Sequence, residues 1–294
     1  MLLKIYNLLK FCYGNNEADK IPDMEFQLFL ITVKSLMPYE DKIGCMFDMS
    51  RYKKEIELFE LYKNGNDEII EYYLENKKPS RAEDRLLEYK ILPIAISNTV
   101  WENSIDEVMK AVTFYTTNKN TVLNAILLSS AIYEYLNDDQ VDLENISNKT
   151  KERLIQFSIK EFSENNHFDL DKKQYIEFER ERIKILSKIE LFSEDSIAEF
   201  KSLKHIFSVQ TEVESEEQNN DTILSSFSSY LLKLRKGMIN PEKLSITKEK
   251  LPEFKEFLKN SAFSHPLLGK CKIVKRTEKE VILRNKSGLM KVKV

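Results

Sequence analysis

The chain has 294 residues, 42% hydrophobic and 32% charged, which excludes general disorder and fits one large domain or a medium one with an appendage. Its 45 lysines and arginines against 48 acids leave a net charge of −3, so the molecule as a whole is not built to bind polyanions, although local asymmetry stays open. Six glycines, with no GxGxxG and no GxxxxGK[ST], exclude the common phosphate-loop classes.

Low glycine and proline beside abundant Leu, Ile, Lys and Glu predict a mainly helical fold. Residues 3–13 read as a first helix, with Ile5, Leu8, Leu9 and Cys12 at helical spacing and Gly14-Asn15 at its end. Its apolar positions are interrupted by Lys4, Asn7 and Lys10, unlike a signal peptide. FQLFLITVKSLM predicts a second helix, and RYKKEIELFELYKNG and DEIIEYYLENKK predict a pair divided by the turn at Asn64-Gly65-Asn66. Trp101 is expected to pack at the start of the next helix, for which Ser104 and Glu107 have capping-box spacing. TVLNAILLSSAIYEYL is apolar nearly all round, as a central core helix would be. Charged helices with narrower apolar faces follow from about residue 142 to residue 205.

An acidic run from Glu212 to Glu217 then leads into Gln218-Asn219-Asn220-Asp221-Thr222 and the helical pattern ILSSFSSYLLKLRKG. Asp and Thr at a helix start are ordinary caps. After residue 250, LPEFKEFLKNSAF predicts one last helix, and CKIVKR, EVILR and LMKVKV alternate as short strands. That β unit has too little core to stand alone, so it is expected to pack on the helical body or a partner. The division drawn is a helical domain over 1–249 and a short helix plus basic β appendage over 250–294.

Cys12, Cys45 and Cys271 are odd in number and far apart, which disfavours a disulfide framework or thiolate zinc site and suits a reducing cytoplasm. His167, His205 and His265 share no motif and are expected in surface or packing roles. No apolar run has the length to span a bilayer, so no membrane partner is expected.

Five worn features keep the order of a known set. A helix runs into Gly14-Asn15; Phe47-Asp48-Met49-Ser50 precedes a helix; Tyr89-Lys90-Ile91-Leu92-Pro93-Ile94 follows. Then Thr117-Asn118 leads into the buried helix, and Asn219-Asn220-Asp221-Thr222 precedes a helix of small residues. In this order they resemble the ADP-ribosylglycohydrolase family, whose members carry Gly-Asp, Thr-Asp-Asp-Thr, Met-Arg-x-x-Pro, Thr-His and Gly-Asp-x-Asp-Thr at these places. The resemblance covers roughly residues 1 to 245. It implies an all-helical fold around a cleft with two divalent metals.

Carried over by position, Asp48, Asp221 and Thr222 are the surviving metal ligands, while Asn15, Asn118 and Asn219 stand where the family has Asp or His and would touch a ligand instead. Phe47 and Met49 replace oxygen ligands, and a hard cation needs several oxygens to offset its dehydration. The resemblance therefore implies a pseudoenzyme with no catalytic residue retained, holding one Mg²⁺ or Mn²⁺ or none. It would act by binding an ADP-ribose-like or nucleotide ligand or a protein partner. The alternatives are a metal-dependent hydrolase that removes ADP-ribose from a modified target, and a nucleic-acid-binding module. The last rests on Lys270, Lys272, Lys275, Arg276, Lys279, Arg284, Lys286, Lys291 and Lys293, opposed only by Glu278 and Glu280. Lysines that protect a sheet edge are the structural counterpart of that reading.

Overall fold

A computed structural model of the protein describes residues 1–14, 20–138, 141–166, 170–188, 190–208, 223–241, 244 and 253–293. Helix α1 (Leu2–Tyr13) buries the spaced residues Ile5, Leu8, Leu9 and Cys12. Asp23 caps α2 (Met24–Lys34) through the Phe26 amide. The apolar pattern there runs on to Met37, but the helix stops at Lys34: Leu36–Pro38 (β1) pairs antiparallel with Cys45–Phe47 (β2). Gly44 closes that hairpin at φ 111°, and a Cβ there would lie 2.5 Å from Asn98 Oδ1, which accepts the Cys45 amide. The pair expected around Asn64-Gly65-Asn66 forms as α3 (Met49–Phe59) and α4 (Glu68–Asn76).

Every residue of α5 (Leu87–Ser97) is buried, Pro93 included. Proline removes the donor that would reach the Tyr89 carbonyl one turn back, and the Tyr13 hydroxyl lies 3.5 Å from that oxygen. Helix α6 runs from Trp101 to Tyr115 with Val100 at its N-cap. This corrects the capping-box expectation. Ser104 lies inside the first turn, its amide bonded to Val100 O, and Glu107 instead accepts the Phe47 amide and the Tyr39 hydroxyl, each at 2.8 Å. Trp101 packs edge-on to Tyr133, with the Arg153 guanidinium over its face.

Helix α7 (Lys119–Asn137) packs on both α5 and α6. Helix α7 is thus central as its apolar pattern predicts, and it shares that place with α5, against which α2 and α6 also pack. The charged stretch folds as α8 (Leu143–Gln156), α9 (Ile159–Asn166), α10 (Lys172–Leu186), α11 (Glu194–Glu199) and α12 (Lys201–Ser208). Buried Glu88 on α5 fixes this layer by accepting the Lys201 and Ser202 amides at the start of α12. Helix α13 (Ile223–Arg235) is held at its end by buried Arg235, which donates to Ile96 O, Asn98 O and Asn137 Oδ1.

A buried ionic knot ties α4 and α5. Lys90 Nζ lies 2.6 Å from Asp67 and 2.8 Å from Asp84, with the Tyr115 ring beneath it. Asp67 also caps α4, and Asp84 accepts the Leu86 amide, so the three charges brace two loops as well as each other.

The expected last helix is short, α14 (Phe254–Phe257), and Ala262–His265 leaves it to become β3. With β4 (Gly269–Arg276), β5 (Glu280–Asn285) and β6 (Gly288–Lys293) it forms an antiparallel sheet in the order β3-β4-β5-β6. The sheet does pack on the helical body. Leu289 and Met290 line a small crevice together with Pro22, Gln27, Leu30 and Tyr62, and the Lys293 amide donates to Leu61 O. The architecture is mainly helical with a small C-terminal antiparallel sheet. No described helix is long and apolar enough to cross a membrane.

Candidate anion-binding cavity

Where the sheet meets the helices, a cavity of about 390 Å³ opens between the end of α2, the first turn of α3, the first half of α13 and the β5–β6 turn. Its size falls within the range of small-molecule sites. Three cationic side chains line it, Lys34, Arg51 and Lys286, with the hydroxyls of Ser226 and Ser287 and the rings of Phe227 and Tyr230. Among the described residues no carboxylate is in the lining.

Each cation is there for a local reason. Lys34 is the last residue of α2, where a positive charge complements the helix's negative end. Arg51 is placed by Asp48, whose carboxylate accepts the Arg51 amide at 2.9 Å and so starts α3. One turn on, Glu55 is fully buried behind both, with Lys34 Nζ at 3.3 Å and Arg51 Nε at 3.8 Å. Burial pushes the Glu55 carboxyl up from the usual range, and Lys34 and then Arg51 pull it part of the way back. Glu55 therefore orients two cations whose own side chains keep 16% exposure toward the cavity. Arg51 also donates to Leu244 O. Lys286 sits in the tight turn that joins β5 to β6, exposed.

The aromatic side is equally fixed. Phe227 meets Phe26 and Phe29 edge-on, which sets the rotation of α13 and turns Ser226 and Tyr230 to the cavity. Burial, helped by Cys45, raises the Tyr230 phenol, and Arg51 opposes that rise, so the group stays a neutral hydroxyl able to donate.

A smaller cavity of about 190 Å³ lies on the far side of α7, among Asn120, Asn124 and the helices α10 to α12. Its charged lining is Glu83, Glu181, Glu199 and Lys188. Burial, then Glu83 and Glu88, raises the Glu199 carboxyl there. An anion would be repelled from it.

The residues picked out by the sequence divide between these places. Asp48 begins α3 beside the basic cavity. Asn118 caps α7: its Oδ1 accepts the Asn120 and Thr121 amides and its Nδ2 donates to Arg81 O, so both ends of the amide are engaged. It leads toward the acidic cavity through Asn120. Asn15, Asn219, Asp221 and Thr222 lie outside the described residues, as do His167 and the run Glu212 to Glu217. Ile223, next in sequence after Thr222, lines the basic cavity, as does Arg51, three residues after Asp48. The other two histidines pack: His205 meets the Tyr135 hydroxyl and the Phe11 ring, and His265 accepts backbone amides.

Among the described residues no three His, Cys, Asp or Glu side chains come together in a metal-binding group. Asp48 has one oxygen committed to its cap, and by itself it does not make a centre for a hard cation.

Sequence reasoning did not find Lys34, Arg51, Glu55 or Tyr230, and it named Lys286 only among the basic residues of the C-terminal unit. One signal was present. Tyr52, Ile56 and Phe59 form the buried stripe of α3, and Glu55 stands within that stripe, where an acid must have a buried partner. No protein-family model, curated protein or solved structure matches the chain.

Proposed function

We propose that this protein binds a small phosphorylated ligand, of the ADP-ribose or nucleotide type, in the cavity at Lys34, Arg51 and Lys286, and that it does not turn the ligand over. The observation that carries this reading is the lining: three cations, two serine hydroxyls and two aromatic rings, with no acid among the described residues. Phosphate oxygens would be met by the Arg51 guanidinium and the two ammoniums, with Ser226 and Ser287 as neutral donors. Phe227 and Tyr230 offer an apolar wall for a base or ribose. Glu55 holds the cations in place before the ligand arrives, so little ordering is spent on binding. The resemblance to ADP-ribosylglycohydrolases supports the same place, since its Asp48 and Asp221-Thr222 segments run directly into lining residues.

Calorimetric titration of the full chain with ADP-ribose, with and without Mg²⁺, tests the reading. Saturable binding is expected without metal. A charge-assisted hydrogen bond is worth about 1.5–3 kcal/mol, so Arg51→Ala and Lys286→Ala should each weaken it roughly tenfold or more. Lys286 is exposed, and its variant should melt with the wild type. Absence of binding by ADP-ribose and by ADP, or variants that bind as the wild type does, would overturn it. Release of ADP-ribose from a modified protein in the presence of Mg²⁺ would overturn the inactive half of the proposal.

A further inference from the structure

Charge is segregated along this chain. Residues 253–293 hold eleven of its 45 lysines and arginines but only four of its 48 acids, so the remainder carries an excess of ten acids. The register of the sheet then sorts these cations onto one face. Cys271, Val281, Leu283, Met290 and Val292 point inward and are buried. Strand alternation turns Lys270, Lys272, Arg284, Lys291 and Lys293 to the other side. Lys272 and Arg284 are direct register partners, two like charges placed opposite each other. After the bulge between Ile273 and Lys275, the next row is Lys275, Ile282 and Lys291. Glu280, the register partner of Lys293, reaches Lys291 from the neighbouring row at 3.0 Å. Among the described residues no carboxylate lies within ion-pair distance of Lys270, Lys272 or Lys275.

Like charges directly across a strand pair are destabilising. A face that keeps cations in adjacent rows is complementary to a line of phosphates. We infer that the outward face of β4, β5 and β6 docks the phosphate backbone of a nucleic acid, without reading its sequence. No aromatic side chain stands on this face, so bases have no stacking platform and contact is confined to phosphates. A membrane surface fits less well. Of the large apolar side chains in the sheet only Val274 is more than half exposed, leaving little to insert among lipids. The surface is separate from the ligand cavity, whose lining shares none of the residues Lys270, Lys272, Lys275 or Arg284.

Fluorescence anisotropy of the full chain with a short labelled RNA duplex and a DNA duplex of unrelated sequence tests the inference. Saturable binding to both is expected. Neutralising about three phosphates gives a slope of about −2.7 in log K against log salt on DNA, or about a fortyfold loss between 50 and 200 mM. The double variant Lys272→Glu/Lys275→Glu should bind at least tenfold more weakly while melting as the wild type does, and Arg51→Ala should bind nucleic acid unchanged. No binding at low salt would overturn the inference. So would equal binding by the charge-reversed variant, or binding to phosphatidylserine vesicles but not to either duplex. A loss caused equally by Arg51→Ala would move the contact to the cavity and overturn the separate surface.

Discussion

Lys90 shows how a single side chain can brace this fold without taking part in ligand binding. Its ammonium is fully buried between Asp67 and Asp84, and both carboxylates also hold backbone amides. Burial disfavours its charge, but the two carboxylates more than compensate, and the Lys90 pKa is raised. The Asp84 carboxyl is raised as well, by burial first and by Asp67 after the opposing pull of Lys90. Removing the cation would leave two buried acids facing each other. Lys90→Met should therefore lose about 3–5 kcal/mol in urea unfolding, the usual cost of breaking a buried pair from one side. A loss below about 1 kcal/mol would show that the knot is not structural. In the sequence Lys90 was noticed only because it stands near Pro93 in a familiar order. Its two partners, more than twenty residues upstream and six residues upstream, could not be paired with it by spacing. Asn118 is the reverse case. The sequence marked it for a ligand, and its amide is occupied by the cap of α7 and by Arg81.

Among the elements, the sheet carries a pH-sensitive joint. His265 ends β3 and is buried against Phe254 and Phe257, with Nδ1 accepting the Leu267 and Leu268 amides. That bonding requires a neutral ring. Burial, with a smaller push from Lys34, lowers its pKa to about 4. The unfolded chain, near 6.5, takes up the proton first. The contribution of His265 to stability is thus complete above about pH 6.5 and falls away as the pH drops toward about 4. In urea titrations His265→Asn should lose stability at neutral pH but show a shallower decline on acidification than the wild type. Identical slopes for the two proteins would contradict the assignment. Elements with a single periodicity were legible: α1, α3, α4 and α7 stand where apolar spacing put them, and β4 to β6 where alternation did. The three-residue strands β1 and β2 were not, because three residues are too few for alternation to register against the α2 pattern. Helix α5 escaped for the opposite reason, since a helix buried on all sides has no polar face and Pro93 argues locally against it.

At the scale of the whole molecule, the helical body and the sheet meet around one cavity. Lys34 and Arg51 come from the body, Tyr230 from its last long helix and Lys286 from the sheet, across some 250 residues of chain. No local pattern could assemble that set. What could be read was coarser: a helical chain and a basic C-terminal unit that needs support. The proposed binding of a phosphorylated ligand in this cavity is open to direct test. The most direct measurement is a crystal structure of the full chain grown with ADP-ribose. Density for the diphosphate is expected within hydrogen-bonding distance of Arg51 and Lys286, with Tyr230 or Phe227 against the ribose or base. An empty cavity at saturating ligand, or ADP-ribose bound instead among Glu83, Asn120 and Glu199, would contradict it.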